Sequence, residues 1–112
     1  MTTPGADGAT KAAVIYYSGT GNVHKLATAA AEAAEKAGAQ TRLRRIPEYV
    51  NESLAPEFAE WTEAWAENAE ATKDIPTATV DDLDWADAIL LGGPGRFGLI
   101  PAPLKHFIDQ AW

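Results

Sequence analysis

Ser18-Gly19-Thr20-Gly21-Asn22 is a run of small and hydroxyl-bearing residues between an apolar stretch and the start of a helical pattern. Small residues let successive backbone N–H groups converge, and a helix start adds roughly half a positive charge to them. The hydroxyls of Ser18 and Thr20 add two donors. Such a nest suits a phosphate group. Its donors are local and neutral, so the formal charge of −7 does not oppose it. A second glycine-rich run, Gly92-Gly93-Pro94-Gly95-Arg96-Phe97-Gly98, follows another apolar stretch.

Three phosphate-binding patterns compete for the first run, beside the plain alternative of a turn joining strand to helix. An ATP loop ends in Gly-Lys-Ser/Thr, but His24, Lys25 and Leu26 stand at the corresponding positions, without the glycine or the Mg²⁺-binding hydroxyl. A dinucleotide fingerprint needs a third glycine where His24 stands and an acidic residue ending the second strand. Neither is present. The remaining pattern suits a terminal phosphate monoester.

The elements that must position these loops follow from apolar spacing. "AAVIYY" (12–17) and "AILLGG" (88–93) are continuous apolar runs ending in small residues, as in strands buried on both faces. Between them, Val23, Leu26, Ala27, Ala30, Ala34 and Ala37 form the apolar stripe of a helix that Gly38 ends in the left-handed conformation. "QTRLRRI" (40–46) alternates as an edge strand should, with Arg42, Arg44 and Arg45 as outward charges that blunt the edge. "APEFAEWTEAWAENAEAT" then places Phe58, Trp61, Trp65 and Ala69 on one helical stripe among glutamates, which predicts a core or interface face. Thr79 and Asp82 read as a capping box, and "PAPLKHFIDQAW" as a last helix with its prolines in the first turn. The order strand, helix, strand, helical excursion, strand, helix implies parallel βαβ units with right-handed crossovers. The expected fold class is α/β, a three-layer sandwich. Both glycine-rich loops would emerge at the carboxyl edge of its sheet, where ligands bind.

Composition narrows the classes. The 112 residues make one domain, with residues 1–10 expected as a disordered tail and 11–112 as the folded part. An acidic chain with one small arginine cluster argues against nucleic acid and anionic membranes. With no cysteine, disulfides, iron–sulfur clusters and thiol catalysis are excluded. No apolar segment approaches the ~18 residues of a membrane span, so a cytoplasmic protein is expected. His24 and His106 are lone histidines for which surface or capping roles are expected.

"VIYYSGTGN", "IPEYV", "DDLDWADAILLGGPGRFG" and "LKHFIDQ" together resemble the N-terminal half of the WrbA-like NAD(P)H:quinone oxidoreductases, a flavodoxin-fold family that binds FMN. The resemblance covers nearly all of residues 12 to 110. It implies that Ser18, Gly19, Thr20, Gly21, Asn22 and Val23 surround the FMN phosphate. It likewise implies that Pro94, Gly95, Arg96, Phe97 and Gly98 belong to the isoalloxazine side, with Gly95, Arg96 and Phe97 along the ring. Electrons would pass from NAD(P)H through the flavin to a quinone in the same site. Because that chemistry belongs to the flavin, no catalytic residue and no metal ligand is assigned.

The family's ring loop usually reads Gly-Thr-Pro-Thr-Arg-Phe-Gly. Here both threonines are glycine, at 93 and 95, which removes two hydroxyls and predicts a more flexible loop. The family is also about twice as long, with two further strands. The expected sheet therefore ends after the third strand, in order 2-1-3, as in a fragment or shortened variant, and leaves "AILLGG" as an apolar edge. A homo-oligomer is expected from that edge. A flavodoxin-like electron carrier and a non-enzymatic half-domain pairing through the exposed edge are the competing readings.

Overall fold

β1 (Lys11–Tyr16) is central because its side chains can be buried on both faces: Ala12 through Tyr17 are all buried. In the computed structural model the described residues are 9–47 and 59–111, the side chains of 59–62 excepted. Among them the order is β1, α1 (Asn22–Lys36), β2 (Gln40–Arg45), α2 (Ala59–Thr72), α3 (Val80–Trp85), β3 (Ala88–Gly92) and α4 (Ala102–Gln110). β2 and β3 both pair in parallel with β1, giving the order β2-β1-β3, with Tyr16 opposite Arg45 on one side and Gly92 on the other. This is the start of a flavodoxin-like α/β fold, as expected. Residues 1–8 of the expected tail, Glu48–Val50 of "IPEYV", Phe58 and the Trp61 side chain lie outside the described residues.

The period of two divides the core. Ala13, Ile15 and Tyr17 pack with Ile46, Leu104 and Phe107, backed by Leu83 and Ile108 of α3 and α4. Val14 and Tyr16 point the other way, onto Ala27 and Ala31 of α1, with Val23, Leu43 and Ile75 around them. Helices thus cover both faces of β1, but β3 departs from the expected burial on both faces: Ile89, Leu90 and Leu91 are exposed, because β3 is the edge of the sheet. The small alanines let α1 approach closely, and its buried line runs Val23–Ala27–Ala31 rather than through Leu26. Contrary to expectation, Leu26 is 71% exposed, because it lies to one side of that line. Gly38 does take the left-handed conformation that ends α1, with φ +97.

The arginines of β2 correct a second expectation. Arg42 and Arg44 are half-buried rather than solvated, and both reach Oδ1 of Asp82, each at 3.2 Å. Arg42 also lies over the Trp85 ring, 4.2 Å from its centroid. Asp82 is the N3 residue of the capping box, its Oδ2 accepting from the Thr79 backbone N–H at 2.9 Å. Burial pushes this carboxyl up. The Thr79 N–H, the Arg44 charge and the Arg42 hydrogen bond outweigh burial and hold it below the ordinary carboxylate range. The edge is further covered where Arg45 N–H donates to Pro76 O and Ala78 N–H to Arg45 O. The charges on this edge are therefore cross-links to α3. The alternation of "QTRLRRI" shows which side they leave the strand, but not that an acidic helix start waits there.

Candidate functional site

The end of β1 and the end of β3 are tied by Tyr17 N–H to Gly92 O at 2.9 Å, which brings the two loops that follow onto one edge. They enclose a hollow of about 200 Å³ lined by Ser18, Gly19, Thr20, Asn22, Val23, Pro94 and Arg96. These seven expected residues are brought together. Gly21, Gly95, Phe97 and Gly98 do not line the hollow.

The first loop is shaped by its own atoms. Gly21 N–H donates to Ser18 Oγ at 3.1 Å, which leaves the hydroxyl proton of Ser18 free to donate elsewhere. Gly21 is the N-cap of α1 at φ +110, a conformation that strongly favours glycine. No side chain caps α1 and no acidic residue lies in its first turn, so nothing on the helix competes for its leading N–H groups. Arg96 of the second loop, a permanently charged residue, lines the same hollow. Such a donor set suits an anion.

The second loop is a tight hairpin. Arg96 and Leu99 exchange both backbone hydrogen bonds, each at 2.9 Å, around Phe97 and Gly98. Both central residues have positive φ, 53 for Phe97 and 78 for Gly98, as a two-residue primed turn requires. For a phenylalanine that conformation costs about 1–2 kcal/mol. The turn holds the Phe97 ring wholly in solvent.

Greater flexibility is not the whole consequence of the two glycines in this loop. A Cβ at Gly93 would lie 3.1–3.2 Å from Pro101 and Leu104, closer than side chains ordinarily approach, and Pro101 is fully buried. Gly93 is thus matched to Pro101, which occupies the space a side chain would need. At Gly95 nothing lies within 4 Å, and there the loop is open.

Two features were not foreseen from the sequence. Tyr16 Oη and His24 Nδ1 are 3.0 Å apart, so His24 is neither a free surface residue nor a cap. Burial pushes the Tyr16 phenol up, with Arg45 partly offsetting it. The second is Asn68 of α2, whose Nδ2 donates to Ser18 O at 2.8 Å and to Gly19 O at 3.3 Å. Asn68 lines a separate cavity of about 150 Å³ behind the loop, with Tyr16, Ser18, Arg45, Trp65 and Thr72. Trp65, Asn68 and Thr72 recur at spacings of three and four. Ala69 lines the same cavity, so Trp65 and Ala69 of the expected stripe do turn toward the loop, with Asn68 and Thr72 beside them. The one asparagine of α2, spaced three and four residues from Trp65 and Thr72, was the available signal.

Among the described residues, no group of His, Asp or Glu side chains could hold a metal ion. Nor is any of their helices long and apolar enough to cross a membrane.

The profile of the family described as NADPH-dependent FMN reductase matches residues 10–112. Several relatives share the name NAD(P)H dehydrogenase (quinone). The one from Deinococcus radiodurans is 40% identical over 99 residues, covering 88% of this chain and 48% of the relative. That from Rhodopseudomonas palustris is 41% identical over 101 residues, covering 90% and 46%. That from Geobacter sulfurreducens is 42% identical over 97 residues, covering 86% and 45%. The chain spans about half the length of the curated relatives it matches.

Proposed function

The chain belongs to the NADPH-dependent FMN reductase family, and from that premise we propose that its two loops bind FMN for NAD(P)H:quinone oxidoreduction. The observation that carries this reading is the shared hollow of the 18–23 and 94–96 segments, with open helix N–H groups on one wall and Arg96 on the other. Its donors are suited to a dianionic phosphate monoester. The ring of a flavin then belongs beside the open segment around Gly95, Phe97 and Gly98, whose backbone and phenyl group are accessible.

The chemistry a bound flavin supplies is two-electron hydride transfer. The chain's own contribution is binding and orientation. Ser18, Thr20 and the α1 N–H groups hold the phosphate, Gly21 shapes the turn that aims them, and Arg96 neutralises the second charge. Phe97 and Gly95 flank the ring. NAD(P)H as donor and a quinone as acceptor are proposed from the names of the relatives.

Titration of the purified 112-residue chain with FMN tests the binding directly: quenching of flavin fluorescence to a saturable end point is expected. Absence of quenching, in protein whose circular dichroism shows it folded, overturns the proposal. Anaerobic mixing of the loaded protein with NADH then separates an oxidoreductase, in which the flavin absorbance bleaches, from a simple electron carrier, in which it persists.

A further inference from the structure

Asn68 and the hollow lie on opposite sides of the first loop. Ser18 lines both the hollow and the cavity behind the loop, whereas Gly19, Thr20 and Asn22 line the hollow and Asn68 lines the cavity behind. Both atoms that face the Asn68 amide are carbonyl oxygens, Ser18 O and Gly19 O, so its nitrogen must be the end turned toward them. In a trans peptide the C=O and the following N–H point in opposite directions. Holding Ser18 O toward α2 therefore turns the Gly19 N–H away from α2, and holding Gly19 O does the same for the Thr20 N–H. Away from α2 is the hollow.

We infer that Asn68 is a positioning residue for anion recognition: from α2 it sets two peptide planes of the first loop so that their N–H groups face the ligand phosphate. The inference rests on the reading of the hollow as a phosphate site. Without the Asn68 donor, either peptide can rotate and present a carbonyl oxygen to the anion, which replaces attraction by repulsion. The other end of the amide, Oδ1, is buried, has no hydrogen-bond partner among the described residues and lies 3.5 Å from where a Cβ on Gly21 would stand. The loop carbonyls are what the Asn68 nitrogen gains. Docking of α2 and phosphate selection are coupled through one side chain.

The test compares FMN with riboflavin, which lacks the phosphate, on the full chain and on its Asn68→Ala and Asn68→Asp variants. In Asn68→Ala the FMN dissociation constant rises about five- to tenfold, the equivalent of one or two hydrogen bonds. In Asn68→Asp, whose carboxylate repels the same carbonyls, it rises further. Riboflavin affinity changes less than twofold in both. An equal loss for the two ligands, or an unchanged FMN affinity, overturns the inference. Hydrogen exchange of the Gly21 amide, held by Ser18 Oγ, supplies a readout that needs no flavin: it speeds about fivefold in Asn68→Ala while the Ala27–Ala34 amides of α1 are unchanged. If the unaltered chain fails to prefer FMN over riboflavin, the phosphate reading falls. An unchanged Gly21 rate then overturns the Asn68 clamp independently.

Discussion

β2 and β3 both flank the same central strand, yet their outer margins are built from opposite chemistry. Along β2 the arginines are drawn into Asp82 and Trp85, and residues 76–78 cover the strand end. Along β3, Ile89, Leu90 and Leu91 remain 42–49% exposed, and the loop beyond carries Phe97, Leu99 and Ile100 into solvent. The two walls of the hollow inherit this difference. The first loop is braced by Ser18, Asn68 and the packed start of α1, whereas beyond Pro94 the second is held by its own turn hydrogen bonds. A braced wall suits a small, highly charged group that needs fixed donors. An open wall suits a large apolar ring that is bound by area.

The comparison is broken most sharply by paired truncations. Ile15→Ala, in the fully buried strand, is expected to cost about 3–4 kcal/mol. Leu90→Ala at the bare margin is expected to cost about 1 kcal/mol, and chemical denaturation of both measures the contrast. Equal costs would mean that β3 is covered in solution. Next in size is Asp82→Ala, which removes a capping carboxylate and strands two arginines, at about 3 kcal/mol. Its acid dependence has a definite sign. Because the folded carboxyl titrates below the unfolded one, its contribution is complete above the ordinary range near ~4 and is lost as pH falls through the folded value. Asp82→Asn should flatten that acid limb of a stability–pH curve.

On the braced loop, Gly21→Ala forces φ +110 on a residue with a Cβ, at about 1–2 kcal/mol of stability and a matching loss of FMN affinity. Gly95→Ala, with open space around it, should change thermal stability by under ~0.5 kcal/mol. Smallest is Phe97→Gly. Relief of about 1 kcal/mol of backbone strain is mostly offset by the added freedom of the unfolded chain, for a net gain of a few tenths. FMN and riboflavin should weaken alike in this variant if, as proposed, the phenyl group flanks the ring and not the phosphate.

Local chemistry made much of this legible in advance. The apolar runs, the Gly38 stop, the Thr79–Asp82 box and the first-turn prolines of α4 each depend on residues within one or two turns of one another. Leu26 was misplaced because a helix whose stripe is mostly alanine has a shallow contrast between faces, and packing against Val14 and Tyr16 chose the line through Ala27 and Ala31. The Phe97 turn was hidden for another reason. A bulky residue at positive φ contradicts local preference and persists only because the Arg96–Leu99 pair closes around it.

From the sequence alone came the parallel α/β order, the two loops at the carboxyl ends of β1 and β3, and the small-residue chemistry suited to a phosphate. Those rest on periodicity and turn preferences, which act over short separations. Tertiary structure alone decided that Asn68 hydrogen-bonds a loop 50 positions away, that Arg96 shares a hollow with the first loop, and that Asp82 pairs with two arginines. It also decided that Pro101 fills the space beside Gly93. Such contacts depend on where helices dock against the sheet, and docking is settled by summed burial over many residues rather than by any local signal.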